Sequence, residues 1–276
     1  MIKWLTAPQS HTVAHAIDCY WLLDKLVSAT ENNHPKLNPD PSAHLILSSP
    51  NHVAKYNINN RMVEVKGSHW LYPYCKTIVL DHSEPFSCLG IKFHVGALYA
   101  INPKHVLVNT VSAVNFQQLI GNEKITEEQL ISKAKKTPDA CCQALDALFK
   151  PWLDNANEDK HSKLVKKLLP LLACMPINEL SDSLACSQRT LERSFLKVTG
   201  VSLKQCQAMN KLEAVLTFLY QRKSSEIDWA AVAYQFGFSD QPHLIRYLKK
   251  HINLTPNAYV AQRDFTIDVY GGVVPK

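Results

Sequence analysis

The sequence contains no apolar run of the roughly 18 residues that a membrane-spanning helix needs, so no membrane contact is expected. Its opening residues, MIKWLTAPQSH, lack the basic-then-apolar order of an export leader, which points to a cytoplasmic protein. The eight cysteines are scattered without a C-x-x-C pair. That weighs against a zinc module and a secreted disulfide framework, and leaves packed, reduced thiols. G-x-S-x-G, Walker and G-x-G-x-x-G patterns are missing as well, so nothing positive points to an enzyme, and neither a catalytic residue nor a cofactor is expected.

What is present is a chain of 276 residues, 46% of them hydrophobic, enough for two ordinary cores and therefore two domains. Charge separates the halves. Residues 160–276 hold 16 Lys plus Arg against 9 Asp plus Glu, whereas residues 1–159 hold 14 against 15. A mildly basic domain alone is a weak sign of nucleic-acid binding. Its pattern makes the sign stronger.

The most informative stretch runs from Tyr234 to Tyr259. Gly237 permits a tight turn, Ser239 is read as a helix N-cap, and Pro242 falls in the first turn, where a missing N–H costs no bond. Along the helix Leu244, Leu248 and Ile252 recur on one side, leaving Gln241, Arg246, Lys249 and Lys250 on the other. Trp229 to Phe236 supplies a short preceding helix. Helix, glycine-containing turn and basic helix is the arrangement that seats a second helix in a DNA major groove.

The rest of the chain divides by texture. Residues 10–26 fit a helix or a strand. From Pro35 to Val95, short β-branched and aromatic segments alternate with Pro, Asn, Gly and Ser clusters, which suggests an all-β barrel or sandwich. Helices follow: Phe116 to Ile120, Thr126 to Ala134 behind a Thr126 cap, and Asp139 to Trp152. The polar residues 154–163 read as a linker between an N-terminal domain, 1–153, and an all-helical domain, 164–276.

Within that second domain the turn unit occurs twice. The first spans about 177–200, with Ser187 capping a helix that closes at Gly200; the second spans about 228–252. A helix over about 203–220 joins them. At about 1.5 Å per residue it is long enough to hold two reading helices roughly one DNA turn, or about 34 Å, apart.

These residues resemble the AraC/XylS-type DNA-binding domain over Ile177 to Gln262. The likeness is carried by S-x-R-x-L-E-R-x-F at Ser187 to Phe195, V-T-G-V-S at Val198 to Ser202, A-Y-x-x-G-F-S-D-Q-x-H at Ala233 to His243, and L-T-P-x-x-Y at Leu254 to Tyr259. The resemblance implies that Arg189, Glu192 and Arg193 of the first helix, and Gln241, Pro242, His243 and Arg246 of the second, face the bases. Arginine suits guanine O6 and N7, glutamine suits adenine, and Pro242 offers apolar contact only. Gln188, Lys197, Lys249 and Lys250 are the phosphate candidates. Cys186 stands where the family usually has glycine, Asn210 and Lys211 where arginines are frequent, and Leu244 where phenylalanine is frequent.

Strands followed by helices ahead of such a domain resemble the cupin-like regulatory domains of AraC-type proteins. Leu37 to Leu47 and Gly90 to Ile101 are the segments most similar to them. The implied fold is α+β overall, an N-terminal cupin-like β-barrel with accompanying helices and an all-α domain of two helix-turn-helix units. The implied protein is a transcriptional regulator that binds double-stranded DNA, answers to a small-molecule effector in the barrel, and usually activates through RNA polymerase. Asp139 to Trp152, with Cys142, Leu145, Leu148, Phe149 and Trp152 on one face, is the candidate homodimer helix. The alternative is a cupin-like metal enzyme or ligand-storage protein with a regulator-derived tail. Nine of twelve histidines precede residue 106, yet none forms the His-x-His of cupin metal sites, so no metal is expected.

Overall fold

The computed structural model describes residues 2–26, 32–172 and 174–267; Met1, residues 27–31, Ala173 and residues 268–276, which the expected domains include, lie outside it. Residues 10–26 resolve into a short helix, His11–Ala14 (α1), and a strand, Ile17–Lys25 (β2), that pairs with the first strand, Ile2–Thr6 (β1). Tyr20 and Leu22 of β2 point into one core and Trp21 and Leu23 into another. A strand covered on both faces reads as a continuous apolar run, which is why periodicity left it undecided.

Eight more strands follow: Lys36–Leu37 (β3), His44–Ser48 (β4), Val53–Ile58 (β5), Arg61–Lys66 (β6), His69–Leu71 (β7), Ile78–Asp81 (β8), Phe86–Phe93 (β9) and Val111–Ala113 (β10). They form two antiparallel sheets, ordered β1-β2-β9-β4-β7-β10 and β3-β8-β5-β6. The expected barrel is therefore corrected to two facing sheets with free edges. One edge is β6, which folds back on β5 through Asn59 and Asn60, both at positive φ (52° and 63°), as a two-residue hairpin requires. Exposed Arg61, Glu64 and Lys66 mark it as an edge strand.

The outer face of the larger sheet is covered by helices. After Ala97–Ile101 (α2) and Phe116–Ile120 (α3) come Glu127–Lys136 (α4), opened by the Thr126–Gln129 capping box, and Pro138–Leu153 (α5). Cys142, Leu145 and Phe149 of α5 are fully buried with Tyr20 and Phe93 of the sheet, and half-buried Leu148 and Trp152 pack against the same cluster. Burying each of the larger side chains contributes about 1.5–3 kcal/mol. The face expected to meet a second copy is thus the domain's own core: an apolar helix face beside an apolar sheet is satisfied there first.

The second half begins at Lys160–Leu172 (α6), so residues 160–163, expected within the linker, already form helix. Asp159 explains this early start, because its carboxylate accepts from the N–H groups of His161 (2.8 Å) and Ser162 (2.9 Å) as an N-cap. A single 3₁₀ turn, Ile177–Glu179, and the four-residue Leu180–Ser183 (α7) replace the one helix expected over 177–185. The left-handed residue of that turn is Ala185, at φ 48°, and not Cys186.

The remaining helices are Gln188–Thr199 (α8), Leu203–Tyr220 (α9), Trp229–Gln235 (α10), Gln241–Ile252 (α11) and Pro256–Gln262 (α12). Helix α9, about 27 Å long at 1.5 Å per residue, is the spine of both units. Its Leu203 and Cys206 enter the core behind α8, and its Leu212, Val215, Leu216 and Leu219 enter the core behind α11. Tyr99, Val106 and Val108 from the N-terminal half complete the α8 core, so the two halves share packing.

Candidate nucleic-acid interface

Helix α8 is set by its ends. The Ser187 hydroxyl accepts from the Thr190 N–H at 3.2 Å, and Gly200 closes the helix at φ 75°. Leu191, Phe195 and Val198 are buried, and Gln188, Arg189, Glu192, Arg193 and Lys197 are exposed. Neither Arg189 nor Arg193 has a hydrogen-bond or ion-pair partner among the described residues, which leaves both guanidinium forks available. Glu192 accepts from the Gln188 amide at 2.9 Å. Two of the candidates thus engage each other within the helix.

Helix α11 starts one residue later than the sequence implied. Asp240, not Ser239, is the cap: its backbone is extended and its carboxylate accepts from the His243 N–H at 2.6 Å. Ser239 instead donates its N–H to Nδ1 of His243 at 3.3 Å, and the His243 ring meets Phe238 edge-on at 5.2 Å. His243 is therefore held in the turn and half-buried, whereas Gln241, Pro242, Arg246, Lys249 and Lys250 are exposed. Leu244, Leu248 and Ile252 form the buried back. Lys211 of α9, at a position where arginine is frequent, stitches this turn to the spine, with Nζ 3.3 Å from the Gly237 carbonyl and 3.8 Å over the Phe238 ring.

Helices α8 and α11 are both tied to the N-terminal half. Lys197 pairs with Asp159 at 3.6 Å and lies 5.7 Å over the ring of Tyr99, whose hydroxyl donates to Asp159 at 2.8 Å. Thr77 donates to the carbonyl of His251 near the end of α11 at 3.3 Å. Of the phosphate candidates, Lys197 alone is in an ion pair among the described residues.

Between the two sheets lies a cavity of about 630 Å³ that α9 closes on one side, within the usual size range for small-molecule sites. Trp21, Tyr56, Tyr74 and Phe86 give it an aromatic lining. At one end Asp40 accepts from the Ser42 N–H at 2.8 Å, from His44 Nε2 at 3.3 Å and from Lys92 Nζ at 3.3 Å. Burial opposes its charge, but Lys92 and His44 outweigh burial and hold the Asp40 carboxyl well below the usual carboxylate range. Asp40 in turn holds the Lys92 ammonium above its ordinary range. Glu213 of α9 faces the same space from an exposed position.

The opposite end carries His69 and His82 beside the Lys55–Asp81 pair, 3.8 Å apart. His69 donates from Nδ1 to the Gly67 carbonyl at 2.8 Å, so its Nε2 accepts from the Tyr56 hydroxyl at 2.6 Å. Burial lowers its pKa to about 4 and that of His82 to about 3. Among the described residues no group of three or more His, Cys, Asp or Glu side chains is arranged to hold a metal ion.

Comparison with known proteins bears on the second half. A family model described as a helix-turn-helix domain matches residues 180–262, the segment that carries α8, α9 and α11. Residues 180–262 are an AraC-type helix-turn-helix domain. No curated protein matches the chain. Among solved structures, ToxT from Vibrio cholerae is 12% identical over 88% of this chain and 98% of its own, at a TM-score of 0.42. ToxT bound to an unsaturated fatty acid aligns at 12% identity over 92% and 97%, at 0.43. The AraC-like transcriptional activator CuxR aligns at 12% over 76% and 85%, at 0.29. Scores this low carry no functional argument.

The AraC-type domain also exposes residues that sequence reasoning passed over. Leu196, 52% exposed, continues the outward stripe of Arg189, Glu192 and Arg193, and Tyr234 on α10 is 87% exposed. Large apolar or aromatic residues outside the buried register are the signal that marks them. Asp40, His44 and Lys92 were missed as a set, although they fall inside the two segments most similar to regulatory domains. In the sequence Glu213 is only one more polar residue on a helix.

Proposed function

We propose that this chain is a transcription regulator whose AraC-type domain reads two adjacent major grooves with α8 and α11, under the control of a small molecule bound between the two sheets. The observation that carries the reading is the double role of α9. The helix that fixes the separation of the two exposed arginine-bearing helices also forms a wall of the cavity. A ligand that prefers one position of α9 shifts the population of spacings competent for DNA. Arg189, Arg193, Gln241 and Arg246 read bases; Lys249 and Lys250 hold phosphates, joined by Lys197 when it leaves Asp159. Activation through RNA polymerase in the cytoplasm is the output proposed.

The test uses the full chain, because Tyr99, Val106 and Val108 complete the core behind α8. Selection from a random duplex pool at about 0.15 M salt is expected to enrich one sequence family, with affinity falling steeply as salt rises. A pool that shows no enrichment overturns the proposal.

A further inference from the structure

The ionic groups that line the cavity call for no counter-charge. Asp40 is held by Lys92 and by His44, each at 3.3 Å, and Asp81 lies 3.8 Å from Lys55. The other two carboxylates of the lining, Asp18 and Glu213, are exposed, so solvent serves them. An ion brought inside would lose hydration that the lining does not replace. What the lining leaves unanswered is a buried neutral donor. Tyr74 is 3% exposed and lines the cavity, yet its hydroxyl has no hydrogen-bond partner among the described residues. The other buried tyrosine of the lining, Tyr56, gives its proton to His69 at 2.6 Å. The backbone of Tyr74 exchanges two hydrogen bonds with Asp40, at 3.0 and 3.1 Å, which fixes where the ring enters. The indole N–H of half-buried Trp21 also lacks a partner among the described residues. That ring lies flat on Gly90, where a Cβ would be 1.9 Å from Cε2.

We infer that the effector is an uncharged, largely apolar carbonyl compound, whose oxygen accepts from the Tyr74 hydroxyl and whose body lies along Trp21, Phe86 and Leu216. A carbonyl oxygen has two lone pairs and no proton, which complements a donor left unpaired in a buried place. An ammonium brings only donors to that donor. A carboxylate accepts from Tyr74 but comes within reach of the Asp40 charge, which Lys92 and His44 already hold. At the far end the His52 ring, stacked on Phe86 at 5.1 Å, serves as donor or acceptor and so does not select between ligands. Leu216 belongs to α9, so the body of the ligand bears on the spine of the DNA-binding domain. The inference rests on the proposal that the cavity is the effector site.

The experiment uses the full chain and three probes of one shape, 4-phenylbutan-2-one, 3-phenylpropanoate and protonated 4-phenylbutan-2-amine. They are titrated at pH 7 by calorimetry and by the change in tryptophan fluorescence. The ketone is expected to bind at least about ten-fold more tightly than either ion. Tyr74→Phe, checked by thermal unfolding to be folded, is expected to weaken the ketone about three- to ten-fold. Isotope-edited infrared spectra are expected to show the bound carbonyl band at lower frequency in the wild type than in Tyr74→Phe, which a merely structural role for Tyr74 would not produce. Trp21→Phe is expected to remove the fluorescence change. Tighter binding of either ion, or a ketone whose affinity and carbonyl band ignore Tyr74→Phe, overturns the inference and leaves the cavity as the effector site. If no probe binds at millimolar concentration, or the fluorescence change survives Trp21→Phe, the cavity reading fails and the inference falls with it.

Discussion

Separating Asp40 from Lys92 is the perturbation whose size the structure fixes best. The side chains are 10% and 19% exposed and 3.3 Å apart. With an effective dielectric constant of about 20, unit charges at that distance attract by about 5 kcal/mol, and desolvation offsets much of this. Removing Asp40 takes from Lys92 its ion-pair partner, and removing Lys92 leaves the buried Asp40 with His44 alone, so Asp40→Asn and Lys92→Met are each expected to cost about 3 kcal/mol. The asparagine still accepts from the Ser42 N–H, which limits the side effects of the first change. The double variant, with no charge left to strand, is expected within about 1 kcal/mol of wild type. The assay is the urea midpoint at pH 7 for all four proteins. The pH dependence has two limbs. Asp40 is lowered, so its share of stability is present above its unfolded pKa of about 3.9 and is lost as pH falls below it; Lys92 is raised, so its share is present below about 10.4 and is lost at higher pH. A double variant that costs the sum of the singles refutes the reasoning, as does an Asp40→Asn protein that loses stability between pH 4 and 2 in parallel with wild type.

Other outcomes are fixed by single contacts. Arg193→Ala and Arg246→Ala are each expected to cost about 1–3 kcal/mol of DNA binding and to relax one half-site, while Lys250→Ala weakens all sequences alike and lowers the salt slope by about one; competition binding separates the two classes. Gly200→Ala is expected to destabilise by about 2–4 kcal/mol in a denaturant titration, because its φ is 75° and a Cβ would lie 2.5 Å from Val108 Cγ2.

The DNA-binding half was legible because its signals are local. Ser187 and Gly200 bound α8 as cap and left-handed stop, and the 191, 195, 198 spacing names its buried side without reference to anything distant. The errors there are also local. Ser239 and Asp240 are adjacent residues of equal capping propensity, and only the geometry of the turn decides that Asp240 reaches the His243 N–H. In the first half, alternation found the strands but not their partners. Whether β9 closes a barrel or joins β2 to β4 depends on pairings between residues 40 to 76 positions apart. The α5 stripe was visible as apolar, yet its destination, the sheet or a second copy, is a tertiary fact. The cavity was least legible, since it needs Asp40, Lys92 and Glu213 from three distant segments.

The central claim is that one chain carries two reading helices held at a fixed separation by α9. Hydroxyl-radical footprinting of the full chain on its selected duplex tests it most directly. Two protected patches on one face of the DNA, about 10 base pairs apart centre to centre, are expected, with Arg193→Ala erasing the sequence preference of one and Arg246→Ala that of the other. A single patch, or two whose sequence preference responds to neither arginine, contradicts it.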